Sequence, residues 1–192
     1  MKRMEDLNER IHAILATRER KVFRGEHLTL AAILLPLFSK DRGYHVLLTK
    51  RTEKVKTHKR EISFPGGVYD EEDGNLERTA LRESFEEIGL REKDVEILGC
   101  LDDVETLTRY MIRPFVGIFP YPYPFIVNRE EIEHIIEVPL HLLVKKNRFE
   151  KKKVSAEGGE RIIYIYRYGE HVIWGATAKI LKQFLDLIRD SS

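Results

Sequence analysis

The sequence has very little cysteine: Cys100 is the only one among 192 residues. A lone thiol cannot form an intramolecular disulfide, a thiolate metal cluster or a CxxC redox pair. The disulfide-stabilised secreted class is therefore excluded, and the composition favours a reducing, cytoplasmic setting. Cys100 itself is expected to be a small buried hydrophobe.

The sequence also lacks an excess of charge of either sign and a long hydrophobic run. Lysine and arginine total 33 against 32 acidic residues, a formal net charge of +1, so nothing attracts the whole chain to nucleic acid or anionic lipid. The longest apolar run, residues 28–38, is well short of the roughly 20 residues that span a bilayer. The charged N-terminus does not resemble a signal peptide. We therefore expect no nucleic-acid partner and no membrane association, and any anion site must be local.

Enough apolar residues are present to build a core, because 42% of the chain is hydrophobic. The charged residues, 34% of the chain, are sufficient to cover such a core with a polar surface. Domains cluster near roughly 100 to 200 residues. We therefore predict one domain over residues 1–192, without a linker or an internal repeat.

Hydrophobic periodicity predicts a mixture of helices and strands. Helical spacing predicts an N-terminal helix over residues 1–22 and a C-terminal helix over residues 175–188. Residues 28–38 and 44–51 predict a β-hairpin, and residues 76–88 predict a helix closed by a glycine cap. Further strands are predicted at residues 61–64, 95–101, 112–119, 132–138 and 161–168. Without regular βαβ alternation, this order indicates an α/β fold in which helices flank a mixed sheet.

Three segments are expected to be mainly loop, the first of them interrupted by the short strand predicted at residues 61–64. Residues 52–75 are charged and glycine-rich, and long loops in compact domains are usually functional. The lysine-rich residues 145–153 have only Phe149 as a stacking aromatic, which favours a solvated loop over an RNA-binding surface. The proline-rich residues 120–124 are expected to form an extended connection. A contact in a homodimer is the alternative role for this segment. Trp174 is expected in the core, at the start of the last helix.

The predicted helix over residues 76–88 carries three glutamates on one face. At about 100° per residue, Glu86 and Glu87 lie within about 60° of Glu83. The apolar residues expected to face the core are Leu81, Phe85 and Ile88. Like charges three and four residues apart repel by a few tenths of a kcal/mol, and a hard divalent cation removes that penalty. When this helix is considered without its surroundings, the alternative to a metal site is an ordinary solvated acidic face.

The loop before this helix favours the metal-binding interpretation. Gly66 and Gly67 follow a Phe-Pro step, and adjacent glycines let a backbone come close to a ligand. Residues 66–90 resemble the Nudix hydrolase box, GX5EX7REUXEEXGU, in which U is aliphatic. The matching positions are Gly67, Arg82, Glu83, Glu86, Glu87, Gly89 and Leu90. The chain departs from the box at Asp73, which replaces its first glutamate with one extra residue before the arginine, and at Ser84, which occupies a U position.

A second resemblance lies upstream of the box. Residues 47–67, LLTKRTEKVKTHKREISFPGG, are similar to the LLTxR…FPGG signature of the coenzyme A pyrophosphatase branch. Lys56 stands where that branch usually has arginine, and Arg60 where it usually has glycine. Downstream similarities are Asn128 with Glu131, the step from Val138 to Leu140, and residues 173–178. The likeness covers roughly residues 28–188.

The resemblance implies a Nudix-type α/β/α sandwich that hydrolyses the diphosphate of CoA or acyl-CoA to 3′,5′-ADP and 4′-phosphopantetheine, with bound Mg²⁺ or Mn²⁺. It implies Glu83, Glu86 and Glu87 as metal ligands. Arg82 is expected to orient these carboxylates, and Glu131 is the candidate general base. Substrate contacts are expected from Arg51, Lys56, His58, Arg60, Gly66 and Gly67.

Positive charge concentrated over residues 50–60 also predicts recognition of the 3′-phosphate of CoA by charge-assisted bonds. Two alternatives remain open at this point. One is a Nudix pyrophosphatase for ADP-ribose, dinucleotides or (deoxy)nucleoside triphosphates. The other is a non-catalytic nucleotide-binding module on the same scaffold.

Overall fold

The computed structural model describes residues 2–23, 25, 27–41, 43–55, 58–145, 148–156 and 159–189. The helices are α1 (Lys2–Thr17), α2 (Leu76–Ile88), α3 (Leu140–Leu143) and α4 (Gly175–Arg189). The strands are β1 (Thr29–Lys40), β2 (Gly43–Arg51), β3 (Ile62–Ser63), β4 (Gly66–Val68), β5 (Glu96–Cys100), β6 (Val104–Glu105), β7 (Tyr110–Ile118), β8 (Ile132–Pro139), β9 (Phe149–Ala156), β10 (Gly159–Tyr168) and β11 (His171–Trp174). Short 3₁₀ turns cover Glu71–Asp73 and Glu92–Asp94.

A mixed eight-stranded sheet occupies the centre of the fold. Its path runs β3-β2-β1-β7-β5, with β4 paired to β1, β6 to β7 and β8 to β2. Strands β1 and β7 are parallel, whereas the hairpin of β1 and β2 is antiparallel. A second, antiparallel sheet has the order β11-β10-β9. The predicted mixed sheet and the hairpin are confirmed.

Both faces of the central sheet are buried, because successive side chains of a strand point to opposite faces. Leu35 and Leu48 join a core cluster with residues of α1 and α4. Leu34 and Leu47 join a second cluster with Ala80 and other residues around α2. This double burial explains why residues 30–38 form an almost continuous apolar run rather than an alternating one. The helices on the two faces give the α/β/α sandwich that the sequence predicted.

Several local predictions need correction. The N-terminal helix ends at Thr17 rather than at residue 22. Residues 149–153 of the expected loop 145–153 are strand. Strand β9 begins at Phe149 and forms one edge of the small sheet, where its exposed lysines discourage pairing with another chain. Trp174 is 48% exposed, because period-2 alternation in β11 turns Ile173 inward and Trp174 outward. Cys100 is only partly buried.

Among the described residues, no helix combines the length and the apolar character needed to cross a membrane.

Candidate active site

Helix α2 is fixed at both ends by caps. The side chain of Asn75 accepts a hydrogen bond from the backbone N–H of Arg78 at 3.0 Å, which satisfies one free amide of the first turn. At the other end Gly89 has φ 72°, and its N–H donates to the carbonyl of Phe85 at 2.8 Å. Leu90 is fully buried behind it. The predicted left-handed glycine cap is confirmed, and it holds the glutamates of the helix in a defined position.

The buried face of α2 is rotated from the predicted one and is centred on Ser84. Ser84 is fully buried, and its hydroxyl donates to the carbonyl of Ala80 at 2.6 Å. On a helical wheel Glu87 lies about 60° from Ser84 and Phe85 about 100° from it. Glu87 is accordingly only 2% exposed, whereas Phe85 is 54% exposed. The expectation that Phe85 faces the core is wrong, because a small residue at position 84 lets the helix approach the sheet along that line.

This rotation predicts opposite costs for two apolar residues of the same helix. Leu81 is buried, so we expect Leu81→Ala to lower the free energy of unfolding by about 2 to 5 kcal/mol. We expect Phe85→Ala to lower it by less than about 1 kcal/mol, since the ring is more than half exposed. Urea unfolding followed by circular dichroism measures both values. A larger loss for Phe85→Ala than for Leu81→Ala would contradict the observed rotation.

Asp73 holds Arg82, and Arg82 in turn contacts two glutamates. Arg82 Nε donates to Asp73 Oδ1 at 2.7 Å, and the hydroxyl of Thr79 donates to Asp73 Oδ2 at 2.8 Å. Arg82 Nη1 lies 2.9 Å from Glu83 Oε1 and 3.1 Å from Glu86 Oε2. This geometry supports the orienting role predicted for Arg82. It also places Asp73 behind the arginine, a contact that the altered spacing of the motif concealed.

The pairing with Arg82 predicts a pH-dependent stability. The hydrogen bond from Arg82 lowers the pKa of Asp73 to about 2. A carboxylate whose pKa is depressed on folding stabilises the protein above its ordinary pKa, and this contribution is lost as the pH falls toward 2. We expect Asp73→Asn to lower the free energy of unfolding at pH 7 by about 1.5 to 3 kcal/mol, a typical value for a hydrogen bond to a charged group. The difference from wild type should shrink below about pH 4; a constant difference down to pH 2 would contradict the pairing.

Glu87 is a buried carboxylate with one unpartnered oxygen. Arg51 Nη1 donates to Glu87 Oε1 at 3.3 Å, while Glu87 Oε2 is buried and has no hydrogen-bond partner among the described residues. Burial raises the pKa of Glu87 to about 8, against the opposing effects of Arg51 and the backbone of Gly66. Burial also raises the pKa of Glu83. The two carboxylates, one helical turn apart, therefore sit where added positive charge stabilises them.

The glycine pair lies directly against these carboxylates. A Cβ atom on Gly67 would stand 2.5 Å from Glu83 Oε1 and 2.6 Å from Oε2, closer than side chains approach one another. Gly66 has φ 153°, a conformation that favours glycine. The structure thus places Gly67 against the side chain of Glu83, one helical turn from Glu87; the roles predicted for these residues stay predictions.

The donor set fits a hard divalent cation. Within the described part of the chain, no three acidic, histidine or cysteine side chains converge into a complete metal cluster. Mg²⁺ does not require one, because it commonly takes one or two protein carboxylates and fills the remaining positions with water and substrate phosphate. Glu87 Oε2 is a free buried ligand for such an ion, and Glu83 lies next to it on the helix. Glu86 is more exposed and bonded to Arg82, so it is the outermost of the three predicted ligands.

Glu131 lies beside the same site. Its carboxylate oxygen Oε2 is 3.9 Å from Arg51 Nη2, and the amide of Asn128 donates to its Oε1 at 3.4 Å. The charge of Glu131 contributes to the raised pKa of Glu83 and of Glu87, so the three carboxylates share one electrostatic environment. Its role as general base stays a prediction.

Two further residues predicted to bind substrate, His58 and Arg60, have carboxylate partners of their own. His58 Nδ1 lies 2.9 Å from Glu61, and Arg60 Nη2 lies 2.6 Å from Glu53. Lys56 is outside the described residues. Contacts from His58 or Arg60 to the helix glutamates are absent from the described hydrogen bonds and ion pairs, so their roles stay predictions.

Sequence reasoning missed the acidic turn that faces the basic stretch. Lys50 Nζ lies 3.0 Å from Glu133, and Lys54 Nζ lies 2.7 Å from Glu130. These pairs join β2 and the loop after it to the start of β8 and the turn before it. The partners are about 80 residues apart along the chain, and only the pairing of β2 with β8 indicates that they meet.

Comparison with known proteins agrees with this geometry. A family model described as the NUDIX domain matches residues 27–157. A protein from Photorhabdus laumondii subsp. laumondii named uncharacterized Nudix hydrolase NudL is 35% identical over 159 residues, which cover 83% of this chain and 84% of the relative. A protein of the same name from Enterobacter sp. is 32% identical, with 80% and 79% covered.

Solved structures show the same fold at low identity. A MutT/nudix family protein from Enterococcus faecalis aligns with a TM-score of 0.57 at 16% identity, over 89% of this chain and 66% of that one. A C. elegans Ap4A hydrolase binary complex aligns with a TM-score of 0.50 at 16% identity, over 59% and 82%. The family model spans more than half of this chain, and relatives more than 30% identical cover over two thirds of it. The chain therefore belongs to the Nudix family and is a hydrolase that acts on pyrophosphate bonds.

Proposed function

We propose that this chain hydrolyses the diphosphate of CoA or acyl-CoA to 3′,5′-ADP and 4′-phosphopantetheine, using Mg²⁺ or Mn²⁺ held by Glu83 and Glu87, with Glu86 as a third ligand. The observation that carries the reaction type is the contact of Gly67 with the carboxylate of Glu83, one helical turn from the buried carboxylate of Glu87. The choice of CoA rests on the signature over residues 47–67. We further propose that residues 1–192 act as one cytoplasmic domain.

The residues of the site divide the work of the reaction. When bound, a divalent cation neutralises the diphosphate oxygens and increases the acidity of a water aligned for attack on phosphorus. Glu131 is the group proposed to accept the proton of that water, and its partial exposure leaves it accessible. Arg82, itself held by Asp73, fixes Glu83 and Glu86. The absence of a side chain at Gly67 lets the carboxylate of Glu83 lie directly against the backbone of the loop.

One observation favours a second candidate, a broader pyrophosphatase for ADP-containing diphosphates such as ADP-ribose. Recognition of the 3′-phosphate requires free cations in residues 50–60. Lys50, Lys54 and Arg60 each already have a carboxylate partner. A 3′-phosphate must displace at least one of these partners, which reduces the selectivity that the cations provide.

A substrate panel separates the two candidates. We expect kcat/KM for CoA to exceed that for dephospho-CoA by about tenfold or more, as a charge-assisted bond to phosphate implies. The ratio should fall with added salt and in Arg60→Ala, while Lys152→Ala, a surface lysine on β9, should leave it unchanged. Equal kcat/KM for the two substrates, together with faster hydrolysis of ADP-ribose, would establish the broader activity instead.

A further inference from the structure

Arg51 joins two carboxylates that come from different parts of the chain. One terminal nitrogen donates to Glu87 on α2, and the other lies 3.9 Å from Glu131 in the turn before β8. The guanidinium is largely buried, with its side chain 20% exposed, and its Nε is buried without a hydrogen-bond partner among the described residues. Both members of the Arg51–Glu87 pair therefore have hydrogen-bonding capacity that the described residues leave unused.

A buried carboxylate needs a counter-charge, because an isolated charge in a low-dielectric interior is strongly destabilising. Among the described residues, Arg51 is the cation that forms an ion pair with Glu87. The proposed function assigns Glu87 to a divalent cation, which would lie on the unpartnered oxygen of the same carboxylate. Two cations on one carboxylate repel each other at short distance.

Resting on the metal role proposed for Glu87, we propose that Arg51 is a positioning residue: it is the counter-ion that holds Glu87 and Glu131 before a divalent cation binds, and it competes with that cation for Glu87. Arg51 therefore stabilises the folded site when no metal is bound, but it lowers the affinity of the site for the metal. Cation binding loosens the Arg51–Glu87 pair and frees one edge of the guanidinium for an anionic group of the substrate.

Lys54 provides a matched control within the same basic stretch. It pairs with Glu130, the neighbour of Glu131, but both side chains are well exposed, at 61% and 75%. An exposed ion pair contributes little to stability and does not control a buried carboxylate. Removing the charge of Lys54 therefore tests whether any nearby cation has the effect assigned to Arg51.

The test measures Mn²⁺ binding to the full chain without substrate. Electron paramagnetic resonance quantifies the Mn²⁺ that remains free. We expect Arg51→Met to bind Mn²⁺ about tenfold more tightly than wild type, because the competing charge is gone. Arg51→Lys should stay within about threefold of wild type, and Lys54→Met should not differ from it. Thermal unfolding gives a second readout: Arg51→Met should melt lower than wild type in EDTA and gain more from saturating Mn²⁺.

Unchanged or weaker Mn²⁺ binding by folded Arg51→Met would overturn the competition while leaving the proposed hydrolysis intact. Absence of Mn²⁺ binding by wild type without substrate would overturn the competition, whereas the metal assignment itself is tested by the turnover of Glu87→Gln at saturating Mg²⁺. If Arg51→Met does not fold, the double variant Arg51→Met/Glu87→Gln decides the matter. Recovery of folding in the double variant supports the counter-ion role, since both buried charges are gone. A double variant as unstable as Arg51→Met would overturn it.

Discussion

Glu87→Gln is expected to lower kcat by at least about a hundredfold while the protein remains folded. Glutamine keeps the shape of the buried side chain but removes the negative charge that a divalent cation requires. Burial, together with the charges of Glu83 and Glu131, raises the pKa of Glu87 to about 8, so the ionised group is costly to the folded state without metal. The glutamine variant should therefore be at least as stable as wild type in EDTA. Steady-state hydrolysis at saturating Mg²⁺ and thermal unfolding in EDTA measure the two effects.

Glu83→Gln should show the same loss of kcat, since it lies one turn away and contacts Gly67. Glu77→Gln is the matched control, because Glu77 is an exposed glutamate in the first turn of the same helix. Near wild-type turnover of Glu87→Gln at saturating Mg²⁺ would show that the metal assignment is wrong.

Gly67→Ala is expected to have the second largest effect, a loss of about ten- to a hundredfold in kcat with a small change in stability. Its new methyl group would overlap the carboxylate of Glu83, whose oxygens lie 2.5 and 2.6 Å from the Cβ position. The carboxylate is the far end of a flexible side chain, so it can move away. The fold tolerates this displacement, but the position of Glu83 beside the glycine backbone is lost. Activity assays over a range of Mn²⁺ concentrations should show that this variant needs a higher Mn²⁺ concentration than wild type to reach half-maximal activity.

Gly66→Ala serves as the contrasting neighbour. Its Cβ atom would lie 2.6 Å from the backbone Cα of Ile33 in the central strand, and a backbone atom there cannot swing aside. The φ of 153° adds strain for any other residue. We expect this variant to lose stability first, seen as a lower melting temperature. Wild-type kcat and metal dependence in Gly67→Ala would contradict the contact between Gly67 and Glu83.

The sequence was most informative where structure depends on neighbouring residues. The glycine cap after α2, the hairpin of β1 and β2, and the last helix all follow from local turn chemistry and periodicity. The orientation of α2 was only partly predictable, because a helical wheel that assigns the buried face from apolar residues alone places Phe85 in the core. Packing instead follows the small Ser84 and accepts the charged Glu87 as a buried residue.

Contacts between distant residues were beyond prediction from the single sequence. Arg51 and Glu87 are 36 residues apart, and Lys50 and Glu133 are 83 residues apart. The contact of Lys50 with Glu133 depends on β8 pairing with β2, and nothing local to either strand specifies that register. The contact of Arg51 with Glu87 depends on how α2 packs against the central sheet. For this reason the sequence predicted free positive charge over residues 50–60, whereas in the structure Lys50, Lys54 and Arg60 are paired with glutamates.

Hydrolysis of CoA in ¹⁸O-labelled water, with products identified by mass spectrometry, shows directly which bond of the diphosphate this protein cleaves. We expect 3′,5′-ADP and 4′-phosphopantetheine as the only products, with one ¹⁸O atom on a single phosphate. We also expect the reaction to require Mg²⁺ or Mn²⁺ and to be nearly absent in Glu87→Gln. Release of inorganic phosphate or free adenine, or equal turnover by Glu87→Gln, would contradict it.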